Sequence, residues 1–171
     1  MKKIIFVFLC ILSVFSYANA KDFFLNITDQ IAENEFRLSY GVSVTDVNKD
    51  NKYDFVVTGF GFKNLALSYK DGKLINIVNE KIFTDEERRT IGVAACDIDQ
   101  DGYEEIYFLN TDTYSGSKIY SDRLIDLNNN KFEDLFEKEI NQNELNLTAG
   151  RSVVCVDRNG DGAYGIYVAN Y

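Results

Sequence analysis

The sequence predicts an all-β protein, a β-propeller of four-stranded blades with about two complete blades and part of a third. Three observations predict it. An acidic loop recurs three times, beginning at Asp46, Asp97 and Asp157, at intervals of 51 and 60 residues. Short runs with β-type apolar patterning enter and leave each loop. Each interval has room for about four such runs, and a repeat of roughly 40–50 residues with four strands apiece marks a propeller. A barrel or a sandwich would use short strands without the internal repetition. A closed propeller has about 4–8 blades, so two and a half repeats leave sheet edges and apolar faces without partners. The third unit ends halfway through its sheet, which reads as a fragment of a longer chain, with closure by association as the alternative.

Taken in order, residues 1–20 carry Lys2 and Lys3, then an apolar run over 4–15 broken only by Ser13, then Ala18, Asn19 and Ala20. A positive start, a short apolar stretch and an A-x-A site predict a secretory signal peptide. The run is shorter than the roughly 20 residues a membrane span needs. Residues 21–171 are predicted to form the repeats. Residues 23–28 read as a short strand and 29–37 as a polar connection. Val42 and Val44 alternate with Ser43 and Thr45, as a strand requires. Residues 55–58 continue as a strand until Gly59 and Gly61 break it. Asp71 and Gly72 between two apolar runs predict a hairpin of residues 65–69 and 74–78. Residues 79–90 are charged and read as an exposed connection. The second unit repeats the order, with strands at 91–96 and 106–109 and a hairpin of 119–127 with 131–136 around Asn128 and Asn130. Strands at 151–156 and 166–169 flank the third loop.

The loops carry the chemistry. Alternate side chains of a tight loop face one side, so acids at positions 1, 3, 5 and 9 converge, joined by a backbone carbonyl at position 7. In the first loop these are Asp46, Asn48, Asp50, the Lys52 carbonyl and Asp54. In the second they are Asp97, Asp99, Asp101, the Tyr103 carbonyl and Glu105. Such carboxylates repel one another until a hard cation joins them, and Ca2+ takes six to eight oxygen ligands. Gly102 permits the sharp turn at position 6, and Asn51 stands there in the first loop. The third loop has Asp157, Asn159, Asp161 and Gly162, but Gly165 stands where the closing acid belongs. An EF-hand needs a glutamate at position 12 and flanking helices; here position 12 is Val57 or Phe108, between strands. The alternative for each loop is an ordinary acidic turn held by Asx hydrogen bonds. Asp126 to Asp134 shares the spacing but has no acid at positions 3 or 5, and reads as a hairpin turn.

Composition narrows the function. The net charge is −9. Removal of Lys2 and Lys3 with the signal segment leaves 16 basic against 27 acidic residues, a net charge of −11. Such a surface repels nucleic acid and anionic lipid. No other segment is apolar enough to span a membrane. The chain has no His, Trp or Pro, and without His the commonest general base is missing. Cys96 and Cys155 precede successive acidic loops, and export permits a disulfide between them. Two buried free thiols are the alternative.

Residues 91–111, 149–157 and 166–171 together resemble the FG-GAP (VCBS-type) repeats. The resemblance is nearest to the N-terminal region of the cartilage acidic protein group and its bacterial relatives. It implies a propeller, Ca2+ in the blade loops and an extracellular or periplasmic address. The function it favours is a non-enzymatic binding or adhesion-type module, with a protein or glycan partner on the propeller face. A polysaccharide hydrolase using Glu104, Glu105, Asp85 or Glu86 is the rival, since paired carboxylates cleave glycosidic bonds. A purely structural segment of a larger surface protein is the third reading.

Overall fold

Runs rich in Val, Ile, Phe and Tyr, bounded by Gly, Asn and Asp, form strands because alternate side chains reach opposite faces of the pleat. The computed structural model describes residues 24–171, so the signal peptide expected over 1–20 lies outside the described residues. Among the described residues, ten antiparallel strands form three sheets in sequence order. The first sheet is β1 (Val42–Thr45), β2 (Asp54–Val57), β3 (Leu65–Lys70) and β4 (Lys73–Asn76). The second is β5 (Thr90–Cys96), β6 (Glu105–Asn110), β7 (Arg123–Asn128) and β8 (Lys131–Asp134). The third pairs β9 (Gly150–Val156) with β10 (Gly165–Asn170). Two four-stranded blades and half of a third are the architecture the repeats predict. Each acidic loop joins the first and second strands of its sheet.

The blades stack through two cores. Side chains of β6 alternate, and the whole strand is buried. Ile106 and Phe108 point into a cluster with Val56 and Ala66 of the first sheet. Tyr107 and Leu109 point the other way, against Val153, Ile166 and Val168 of the third. The outer flanks lack this cover: Val42, Val44 and Phe55 of the first sheet are exposed, as are Val154, Val156 and Tyr167 of the third. Thus β1 buries Thr45 rather than its valines. Adjacent backbones approach closely at the head of each first strand. A Cβ on Gly41 would lie 3.1 Å from the Cα of Gly92, and one on Gly92 would lie 3.3 Å from Val153 Cγ1. Glycine fits there because it has no side chain to place.

Cys96 and Cys155 form a disulfide that crosses from β5 to β9, with a Cα–Cα distance of 6.1 Å. Buried polar groups fix other seams. Asp122 accepts hydrogen bonds from the Tyr107 hydroxyl (2.7 Å), the Asn110 amide (2.7 Å) and the Asn146 side chain (2.6 Å), and pairs with the buried Lys118. Burial lowers the Lys118 pKa and raises that of Tyr107. Tyr107 is raised further by the neighbouring Asp122 charge.

Four expectations need correction. Residues 24–27 form no strand, and Thr28–Gln30 is a 3-10 turn. This segment instead lies along the first sheet, where the Ala32 amide donates to the Leu74 carbonyl at 2.9 Å. Residues 79–90 are not an exposed connection throughout. They contain α1 (Lys81–Thr84), which buries Phe83 against Phe108 and Phe132 with ring centroids 5.1 and 5.0 Å apart. A charged sequence hid one aromatic plug, whose burial contributes about 1.5–3 kcal/mol. The hairpin of residues 119–127 and 131–136 is shorter at both ends. Strand β7 starts at Arg123, after buried Asp122, and Leu135–Glu137 is a 3-10 turn. Finally, Asp85 is not solvated surface: it is buried and paired with Arg123 and Arg88. The two-residue turns are as expected. Asp71 and Gly72, and Asn129 and Asn130, all have positive φ, as the hairpin turn type demands.

Candidate metal centre

The three loops share one backbone design. The acid at position 1 accepts from the amide at position 6: Asn51 to Asp46 at 2.6 Å, Gly102 to Asp97 at 3.0 Å, and Gly162 to Asp157 at 3.0 Å. The acid at position 5 accepts from the amide at position 7, from Lys52 to Asp50, Tyr103 to Asp101 and Ala163 to Asp161, at 2.9, 2.8 and 2.9 Å. Asn48 and Asp99, at position 3, accept from the position 5 amide at 3.1 Å. Positions 4 and 6 are left-handed in every loop: Lys49 and Asn51, Gln100 and Gly102, Gly160 and Gly162. Sequence reasoning found the turn at position 6 and missed position 4, where Lys49 and Gln100 carry no glycine-like signal.

Position 9 separates the loops. Asp54 begins β2 and Glu105 begins β6, so both sit in the sheet rather than the loop. Asp54 is 0% exposed and Glu105 1% exposed. Each reaches back to the amide at position 2: Val47 donates to Asp54 Oδ2 at 3.1 Å and Ile98 to Glu105 Oε2 at 2.7 Å. Burial raises the pKa of both acids. The Ser68 hydroxyl and the Val47 amide oppose the shift at Asp54, and the Ile98 amide opposes it at Glu105. Charge repulsion adds to burial, from Asp50 and Asp46 on Asp54 and from Asp99 and Asp126 on Glu105. Asp54 Oδ1 and Asp97 Oδ1 are buried without a hydrogen-bond partner of normal geometry.

The structure brings Asp97, Asp99 and Glu105 together, with one carboxylate oxygen of each within 4.8 Å of the others. Asp101 is not in this cluster. In the first loop Asp46, Asn48, Asp50, Lys52 and Asp54 occupy the equivalent places, with the asparagine amide donating to Asp50 Oδ2 at 3.3 Å. In the third, Asp157, Asn159 and Asp161 hold the same turn, but Gly165 adds no carboxylate. Amides of the loop lower the Asp157 pKa, Gly162 most strongly. The donor set fits a hard divalent cation: carboxylates and carbonyls, with no sulfur or imidazole. Buried acceptor oxygens without donors are what such an ion would satisfy.

This repeated loop between paired strands has a match among known families. The FG-GAP-like repeat model matches residues 17–108. The chain belongs to the FG-GAP-like repeat family. It is similar to Cartilage acidic protein 1 of Homo sapiens, with 47% identity over 149 residues, covering 81% of this chain and 22% of that protein. The Xenopus tropicalis protein of the same name is 44% identical over 164 residues, covering 86% of this chain and 25% of its own length. The Mus musculus protein is 46% identical over 149 residues, covering 81% and 23%. The chain thus spans about a quarter or less of the length of these relatives. The protein is thus an all-β FG-GAP repeat protein similar to cartilage acidic protein.

Proposed function

We propose that residues 21–171 form part of a secreted, non-enzymatic binding module whose first two blade loops are held by Ca2+. The observation that carries this reading is the pair of buried acceptors, Asp54 Oδ1 and Asp97 Oδ1, that lack a hydrogen-bond partner of normal geometry. A buried carboxylate oxygen without a partner costs about 1–3 kcal/mol or more, and a bound cation offsets that cost. Asp46, Asn48, Asp50, the Lys52 carbonyl and Asp54 would hold one ion. Asp97, Asp99, Asp101, the Tyr103 carbonyl and Glu105 would hold another. The third loop, with Asp157, Asn159 and Asp161 alone, is the weakest site. Ca2+ in the first two loops would supply charge neutralisation, and the chain's own residues shape the blade.

Secretion is supported by the pattern of residues 1–20 and by the disulfide, a bond characteristic of oxidising compartments. Among the described residues no helix is long and apolar enough to cross a membrane. The partner is a protein or glycan docked on the propeller face, as the resemblance implies. Two acids of the rival hydrolase reading are engaged elsewhere, and two lie at the surface. Asp85 pairs with arginines, Glu105 turns into the second loop, and Glu86 and Glu104 are exposed.

Titration calorimetry with Ca2+ is expected to show about two sites, and binding to the folded chain alone adds ~2.7 kcal/mol at a hundredfold excess over Kd. Asp99→Ala is expected to remove one site. Unchanged stoichiometry in that variant, or a wild-type chain whose stability ignores Ca2+, defeats the assignment.

A further inference from the structure

Position 4 is Lys49 in the first loop, Gln100 in the second and Gly160 in the third, so only the first loop carries a positive charge there. Lys49 has a φ of 58° and reaches across to the neighbouring blade. Its Nζ lies 3.8 Å from Asp101 Oδ2, 4.0 Å from Asp126 Oδ1 and 4.3 Å from the centre of the Tyr103 ring. The side chain is 26% exposed. Two of these partners, Asp101 and Tyr103, belong to the second loop, and Asp126 lies on β7. Asp101 is also the one acid at a ligand position of the second loop that lies outside the cluster of Asp97, Asp99 and Glu105.

We propose that Lys49 is an inter-blade tie that holds Asp101 toward the first blade and thereby lowers the affinity of the second loop for a divalent cation. The inference rests on the Ca2+ reading of that loop. Two effects act in the same direction. The ammonium group competes with the ion for the Asp101 carboxylate, and its positive charge opposes a cation bound a few ångströms away. The pair is partly exposed, so the effect is modest. Removing the charge is expected to tighten the second site about 2- to 5-fold, the range of an exposed ion pair.

The test follows the Gly102 and Tyr103 amide resonances while CaCl2 is titrated into the full chain, which reads the second loop apart from the first. Lys49→Gln is expected to lower the apparent Kd at these amides 2- to 5-fold. In an Asp101→Asn background the same change is expected to have a smaller effect, because only the direct charge repulsion remains. A Kd that is unchanged or raised by Lys49→Gln overturns the proposal, and so does a gain that persists in full without the Asp101 charge. A wild-type chain whose Gly102 and Tyr103 resonances do not respond to CaCl2 overturns the Ca2+ reading with it. A normal wild-type response with no Lys49 effect overturns the tie alone.

Discussion

In the second loop the Gly102 amide binds Asp97, and in the third the Gly162 amide binds Asp157, each at 3.0 Å. The next contact also matches, from Tyr103 to Asp101 and from Ala163 to Asp161. Their strands differ little in register, yet one loop closes on a buried glutamate and the other on an exposed glycine. The electrostatics diverge accordingly. Burial raises the Glu105 pKa, whereas loop amides lower that of Asp157. Asx hydrogen bonds suffice to shape the turn. Under the Ca2+ proposal, what would create demand for a cation is the acid that the sheet buries behind the turn.

The disulfide ties these two loops together, so its removal is the strongest way to separate them. Cys96 directly precedes Asp97, and Cys155 lies two residues before Asp157. Replacing both cysteines with alanine is expected to cost about 2–5 kcal/mol, read as a lower urea midpoint. The loss falls unequally. The third sheet has two strands and one covered face, so its amides exchange faster while β6 stays protected. Equal loosening of β6 and β10 breaks the comparison.

The second prediction concerns pH. Glu105 and Asp54 have folded-state pKa values above those of the unfolded chain. Between those two values the folded state binds more protons, so stability falls as pH rises through the window. The ion-free protein is therefore expected to lose stability as pH climbs above the ordinary carboxylate range. Ca2+ requires the ionised acids and reverses the trend, so its stabilisation is expected to be larger at pH 7 than at pH 5. Glu105→Gln removes the second loop's share of both effects. Thermal melts with Ca2+ and with chelator at the two pH values check it, and a Ca2+ effect independent of pH contradicts it.

Much of this was legible in the sequence, for reasons that differ by residue. The loops announce themselves because every ligand position falls within nine consecutive residues. The hairpin at Asp71 and Gly72 is set by local backbone preference. Even the blade count follows from the spacing of Asp46, Asp97 and Asp157. What stayed hidden depends on contacts distant in sequence. Phe83 sits among charged residues, and only the facing Phe108 and Phe132 make it core. Asp85 reads as surface until Arg123, 38 residues away, pairs with it. Lys49 looks like a solvated loop residue until the neighbouring blade places Asp101 and Tyr103 beside it. The valines of β1 match strand periodicity, but their exposure depends on which face another blade covers.

The smallest expected effect tests the comparison most directly, because it adds the missing acid instead of removing one. Gly165 holds position 9 of the third loop, opposite Val156 in the register of β9 and β10. A Cβ built there meets only the Val156 carbonyl oxygen, at 3.9 Å, an ordinary contact, and the position needs no left-handed backbone. The first side-chain atom of Gly165→Glu thus meets no obstacle, and the change relieves a glycine in a strand, worth about 0.5–1 kcal/mol. If the closing acid is what separates the loops, the variant gains a Ca2+ response at the Gly162 and Ala163 amides that the wild type lacks or shows only weakly. The gained site is expected to be weaker than the second loop, since position 3 is Asn159 and position 9 is exposed. It therefore adds less charge and loses less on desolvation. A Gly165→Glu chain that gains stability equally with Ca2+ and with chelator shows the glycine effect alone. In that case burial of the closing acid, not its presence, makes the second loop a cation site.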